Sequence, residues 1–192
     1  MVRTAVFGGT FNPLHNGHIA IARSVIDSNL ADELWLMVTP QNPWKRNLTL
    51  MDDDFRLTMA RMAVRNLDRI EASDFEFSLS KPSFTSNTLR KLNASYPLRE
   101  FSLVIGADNW AKFGNWCDSD YIQQNHQIIV YPRSGYPLPE SSTANVHILD
   151  CPTIDISSTQ IRNMLKQGLP VDGLVPPDVA ALLGLYETYG IG

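Results

Sequence analysis

The sequence predicts an α/β fold, with a mainly parallel sheet covered by helices on both faces. Two observations carry this reading. Short, largely apolar runs alternate with segments of helical spacing, as expected for strands buried on both sides. Turn-forming residues then follow most of these runs directly: Gly8-Gly9, Pro40, Gly106 and Pro132. In such sheets, ligands bind beyond the carboxyl ends of the strands, where strand order reverses.

The elements follow in order. Thr4–Phe7 reads as a buried strand closed by two glycines. From Gly17 to Ser28 a helix is expected, because Ile19, Ile21, Ala22, Val25 and Ile26 fall on one helical face. Leu34–Val38 is the second apolar run and Asp53–Asn66 the second helix. Ser86–Ala94 is a third helix, Phe101–Ile105 a strand and Ser119–Gln124 a short helix. Gln127–Tyr131 and Val146–Leu149 are strands, and the helices Ser158–Lys166 and Pro177–Tyr186 close the chain. There is no internal repeat, low-complexity tract or long linker. Residues 1–192 are therefore expected to form one domain with a proper hydrophobic core.

Composition excludes several functions. A net charge of -4 without a long basic run argues against a nucleic-acid partner, which would need a basic face. No stretch has the length of a membrane span. Met1–Phe7 enters the first strand at once, leaving no room for a signal peptide, and a cytoplasmic location is expected. The two cysteines, Cys117 and Cys151, are far apart and fit reduced side chains in that compartment. Nothing here fixes an oligomeric state.

The most informative stretch is Val6-Phe7-Gly8-Gly9-Thr10-Phe11-Asn12-Pro13-Leu14-His15-Asn16-Gly17-His18. It joins a strand end to a helix start, where free backbone N–H groups favour an anion. Gly8 and Gly9 let the main chain come close to it, and Thr10 and Phe11 add backbone amides. His15 and His18 add donors that nearby phosphates would hold in the protonated form, since imidazole titrates near roughly 6.5. Taken singly, the glycines read as a tight turn and each histidine as structural. Their combination at one junction favours a phosphate site.

A second stretch, Ile156-Ser157-Ser158-Thr159-Gln160-Ile161-Arg162, starts a helix. Its serines suit either an N-cap or a phosphate contact, and Arg162 one turn on suits phosphate oxygens. Lys45 follows a strand end and is a weaker candidate for the same charge. Asp108, in Ile105-Gly106-Ala107-Asp108, suits ribose hydroxyls or a helix N-terminus. His15-x-x-His18 has no convincing cysteine or acidic partners, so no metal-ligating residue is named.

The run GGTFNPLHNGH, together with the ISSTQIR element, resembles the paired signatures of the nucleotidyltransferase superfamily. The resemblance implies a Rossmann-like domain that transfers a nucleotidyl group from a nucleoside triphosphate. It implies that His15 and His18 contact the triphosphate, with His18 nearest the transferring phosphorus. Arg162, Ser157 and Ser158 would meet its phosphates, and Gly17 would let the adenosine lie close. A magnesium ion is implied by the triphosphate and would keep mostly water and phosphate ligands.

Four further segments extend the resemblance over nearly the full chain to nicotinate-nucleotide adenylyltransferase. They are Lys81-Pro82-Ser83-Phe84-Thr85-Ser86-Asn87-Thr88-Leu89, Ile105-Gly106-Ala107-Asp108, Phe113-Gly114-Asn115-Trp116 and Tyr131-Pro132-Arg133-Ser134-Gly135-Tyr136. By this resemblance the substrates are ATP and nicotinate mononucleotide. The pyridine ring would stack on Trp116, as an electron-poor ring on an indole face should. Its carboxylate would be held by groups around Thr85 and by backbone beside Trp116, with Phe84 and Arg133 also on the substrate. The chain departs from the family in having Asn12 for a common aspartate, Phe84 for a common tyrosine, and Pro43-Trp44-Lys45 where a second proline and a histidine are usual. Two alternatives remain. The acceptor could be nicotinamide mononucleotide, or the chain could be a catalytically silent nucleotide-binding regulatory module.

Overall fold

The computed structural model describes residues 1–40, 50–140 and 145–189. Six strands form one sheet in the order β3-β2-β1-β4-β5-β6, and every pairing is parallel. They are β1 (Val2–Gly9), β2 (Glu33–Val38), β3 (Ile70–Ser73), β4 (Arg99–Gly106), β5 (Gln127–Tyr131) and β6 (Val146–Ile148). The helices are α1 (Asn16–Asp27), α2 (Asp53–Val64), α3 (Thr85–Ser95), α4 (Ala107–Trp110), α5 (Ser119–Asn125), α6 (Ser158–Lys166) and α7 (Pro177–Tyr189).

The chain winds outward from β1 to β3, then returns to β4 on the other side of β1. Strand order therefore reverses between β1 and β4, and a crevice opens at their carboxyl ends. The expected α/β architecture is present, with both faces of the sheet covered. On one face Ile21, Ala22, Val25 and Ile26 of α1 and Leu57, Ala60 and Val64 of α2 pack on Ala5, Phe7, Leu34 and Leu36. On the other, Leu89 and Leu92 of α3 and Ile122 of α5 cover Val6, Leu103, Ile128 and Val130. Alternate residues of β1 thus serve opposite cores, and each aliphatic side chain so buried contributes roughly 1.5–3 kcal/mol.

Three features differ from the sequence reading. β3 was not expected: only Ile70 of its four residues is buried, so it carries no apolar run. α4 follows β4 without a loop and is a single turn, too short for periodicity to reveal. α3 begins at Thr85, one residue earlier than expected, with Phe84 at its N-cap.

The end of the chain does more than close the fold. Met59 of α2, Ile161 of α6, and Val171, Val175, Val179 and Leu183 form a third core beside the sheet. From it the carbonyls of Gly173 and Leu174 accept hydrogen bonds from the side chain and main chain of Asn16, both at 2.8 Å. The first turn of α1 is therefore held by a segment more than 150 residues away.

Candidate active site

Two chambers open at the crevice and share the wall made by Gly8, Gly9, Asn109, Trp116 and Tyr131. The larger, about 580 Å³, is also lined by Thr10, Phe11, His15, His18, Asp108, Arg133, Ser157, Ser158 and Arg162. The smaller is lined by Ser83, Phe84, Thr85, Thr88, Glu76 and Gly106 besides apolar residues of β1, β2 and β4. One side brings together the two sequence elements read as phosphate-binding; the other brings together those read as holding the acceptor.

The loop after β1 is built from the inside. Phe11 takes a left-handed backbone (φ 44°), and its ring is buried against Phe7 and His18 at centroid distances of 5.9 and 5.0 Å. That burial offsets the cost of the strained backbone, on the order of 1–3 kcal/mol. His15 then caps α1 with extended backbone. Its N–H donates to Nδ1 of His18 at 3.2 Å, and the two imidazoles stack at 3.6 Å. Because Nδ1 of His18 accepts, its proton sits on Nε2, which is thereby fixed as a donor.

His15 is the more buried of the two histidines. Burial, reinforced by the positive charge of Arg133, pushes it down to about 4, and its Nδ1 makes no hydrogen bond among the described residues. At that value the imidazole is neutral near pH 7, and a neighbouring phosphate would draw it toward the protonated form expected from the sequence. Gly17 has a packing role beside the one expected from the resemblance. A Cβ there would lie 2.8 Å from Ile154 and 2.9 Å from His15 Nδ1, so glycine is needed to admit the histidine ring. Gly8 is the opposite case: a Cβ would meet nothing within 4 Å, so its Cα faces open space in the crevice.

The C-terminal element joins this loop directly. Arg162 Nη1 donates to the Asn12 carbonyl at 2.8 Å and Nη2 to Thr159 Oγ1 at 3.1 Å. Partial burial lowers its pKa somewhat, without approaching neutrality. Both serine hydroxyls are engaged. Ser157 caps α6 by accepting from the Gln160 N–H at 3.2 Å, and Ser158 donates to the Pro13 carbonyl at 2.9 Å. Ser157 thus serves as an N-cap, a role that uses its oxygen as acceptor and leaves the O–H as a donor, and Ser158 locks the two elements together. The first turn of α6 still offers main-chain N–H groups to an anion. Ile156 lies beside a side recess with Asp108 and Arg133.

Asp108 and Arg133 face each other across the end of β4, with Nε 3.6 Å from Oδ1. A Cβ on Gly106 would meet Asp108 Oδ1 at 2.4 Å, so glycine there makes room for the carboxylate. Burial pushes the neighbouring Tyr131 up to about 12, keeping its hydroxyl protonated.

In the smaller chamber α3 starts at Thr85, and its first bonded amides are those of Asn87 and Thr88, both to the Phe84 carbonyl. This leaves the first-turn amides of an eleven-residue helix toward the chamber, as a carboxylate requires. Trp116 stands opposite, its ring 5.5 Å from Phe113. Lys45 lies outside the described residues.

Two buried charged residues escaped the sequence reading. Glu76 accepts from Thr88 Oγ1 at 2.6 Å, its Oε2 has no hydrogen-bond partner among the described residues, and burial raises its pKa. Arg56 of α2 is completely buried beneath the loop. A single sequence holds no sign of either, since both read as ordinary surface charges.

The fold and the two facing chambers define a nucleotidyltransferase. The cytidylyltransferase-like family model matches residues 6–164. A Bacteroides fragilis protein named "Probable nicotinate-nucleotide adenylyltransferase" is 43% identical over 92% of this chain and 89% of its own. A Flavobacterium johnsoniae protein of the same name is 41% identical over 93% and 94%. In fold, the chain is similar to Plasmodium falciparum nicotinic acid mononucleotide adenylyltransferase complexed with NaAD, with a TM-score of 0.84, 18% identity, and 100% and 99% of the two chains covered. The chain belongs to the nicotinate-nucleotide adenylyltransferase family.

Proposed function

We infer that this chain transfers the adenylyl group of ATP to nicotinate mononucleotide, giving deamido-NAD and pyrophosphate. The observation that carries the reading is the meeting of the two chambers over Gly8 and Gly9, beside His18. An acceptor in the smaller chamber would present its phosphate to a triphosphate in the larger one at that junction.

In the step proposed, a phosphate oxygen of the mononucleotide bonds to the α-phosphorus of ATP. The bond from that phosphorus to the oxygen bridging to the β-phosphate breaks, and pyrophosphate leaves. Both nucleophile and leaving group are already good, so the protein need only align them and stabilise charge on the phosphoryl oxygens. We assign His18 Nε2–H to the α-phosphate and Arg162, with the first turn of α6, to the β- and γ-phosphates. Main-chain groups of Gly8, Gly9, Thr10 and Phe11 complete the cradle. His15, neutral and stacked on His18, orients it. Gly106 gives the space that Asp108 needs to face ribose hydroxyls, with Arg133 beside it on the substrate. Trp116 stacks on the pyridine ring, and Phe84 and Thr85 hold the carboxylate end.

Among the described residues no three His, Cys, Asp or Glu side chains converge to hold a metal ion. A divalent ion, proposed to be Mg²⁺, would therefore be carried by the triphosphate and water. No described helix is long and apolar enough to cross a membrane. We propose that residues 1–192 act as one domain in the cytoplasm, where the free thiols Cys117 and Cys151 stay reduced.

The test is pyrophosphate release with ATP and either mononucleotide. The expected result is a strong preference for the nicotinate form, since a site built for a carboxylate rejects the amide. Equal rates would refute the acceptor assignment. No release with either would favour a silent nucleotide-binding module.

A further inference from the structure

The carbonyls of the loop after β1 are pinned one after another. Gly9 O accepts from the Thr39 N–H at 2.9 Å, Asn12 O from Arg162 at 2.8 Å and Pro13 O from Ser158 at 2.9 Å. Thr10 O is taken by Nη1 of Arg56. Carbonyl oxygens facing a triphosphate would repel it, whereas N–H groups attract it.

Arg56 is placed to control this. Its guanidinium is completely buried and spans three loops at once. Nη1 also donates to Thr39 O, and Nε to Met51 O, both at 3.1 Å, while Nη2 pairs with Asp53. Asp53 in turn lies 3.3 Å from Lys81 Nζ. In a trans peptide the C=O of one residue and the N–H of the next point in opposite directions. Fixing the Thr10 carbonyl inward therefore fixes the Phe11 N–H outward.

We propose that Arg56 is a positioning residue for the triphosphate: by drawing the Thr10 carbonyl into the protein it turns the Phe11 N–H toward the larger chamber. Arg56 touches no substrate. The fork of the guanidinium matters as much as its charge, because a single ammonium cannot span the Thr10 and Thr39 carbonyls and the Asp53 carboxylate together.

The inference rests on the larger chamber being the ATP site. Arg56→Gln and Arg56→Lys are prepared, and folding is checked by circular dichroism. ATP affinity is measured by calorimetry, and the KM values of ATP and mononucleotide are measured where turnover allows. In Arg56→Gln, ATP binding is expected to weaken about tenfold or more, the size of one charge-assisted hydrogen bond, with mononucleotide KM within about twofold of the parent. Arg56→Lys is expected to fall between the two. A merely structural role would lower the melting temperature and leave both affinities of the folded protein unchanged. That result, or equal losses for both substrates, overturns the proposal. If Arg56→Gln does not fold, Arg56→Lys decides by the same criterion. A parent protein that binds ATP without turnover would defeat the enzymatic reading, while calorimetry would still judge Arg56.

Discussion

The guanidinium of Arg162 donates to the main-chain oxygen of Asn12 at 2.8 Å, across 150 residues of sequence. This contact, with the Ser158 bond to Pro13, seats the start of α6 against the turn that precedes α1. Two helix N-termini and the guanidinium side chains of Arg133 and Arg162 then line the same chamber. Their partial and full positive charges add where a triphosphate would lie.

His18 should carry the largest share of the chemistry that one side chain supplies. Replacing it with alanine is expected to lower turnover about a hundredfold or more, with unchanged folding, because a preorganised donor at the reacting phosphoryl group is lost. Steady-state pyrophosphate release measures this. Near-normal turnover would remove His18 from the mechanism.

Gly8 separates ligand space from protein space. Its missing Cβ would touch nothing in the folded chain, so Gly8→Ala should leave the melting temperature within a few degrees of the parent. A methyl group on the shared wall of the chambers should nonetheless impair substrate binding and turnover about tenfold or more. A variant with full activity would show that neither substrate passes close to β1.

Trp116→Ala should weaken mononucleotide binding much more than ATP binding. Stacking of the pyridine ring on the indole contributes on the order of 1 kcal/mol or more. Calorimetry with each ligand gives the comparison. Equal losses would assign the ring a folding role through its contact with Phe113.

His15 makes stability depend on pH in a defined window. Its folded value near 4 lies below the ordinary 6.5, so between those values the unfolded chain binds a proton that the folded chain refuses. Stability from this group is full above pH 6.5 and falls as pH drops toward 4, by up to about 3 kcal/mol. Urea unfolding across that range should show the decline, and His15→Gln should flatten it. A slope unchanged by the substitution would assign the loss to other groups.

Much of this was legible in the sequence, for reasons particular to each part. The parallel sheet was readable because β1, β2, β4 and β5 are nearly continuous apolar runs, whereas β3 buries only Ile70 and so leaves no trace. The positions of His18, Arg162, Trp116 and Thr85 followed from local motifs. What escaped were properties created by the surroundings. The lowered pKa of His15 comes from burial and from Arg133, far along the chain. The role of Gly17 depends on Ile154, equally distant. Arg56 looked like any helix-surface arginine, because burial under a loop is a tertiary fact.

Asn16 is anchored to Gly173 and Leu174, and those residues lie beyond position 164, where the match to the family model stops. The histidine-bearing turn therefore leans on a C-terminal segment beyond the span that the family model matches. Trimming the chain back to position 164 would remove both carbonyls that hold Asn16 and so untether α1 at its first residue. Loss of that anchor would loosen the turn that aims the two imidazoles.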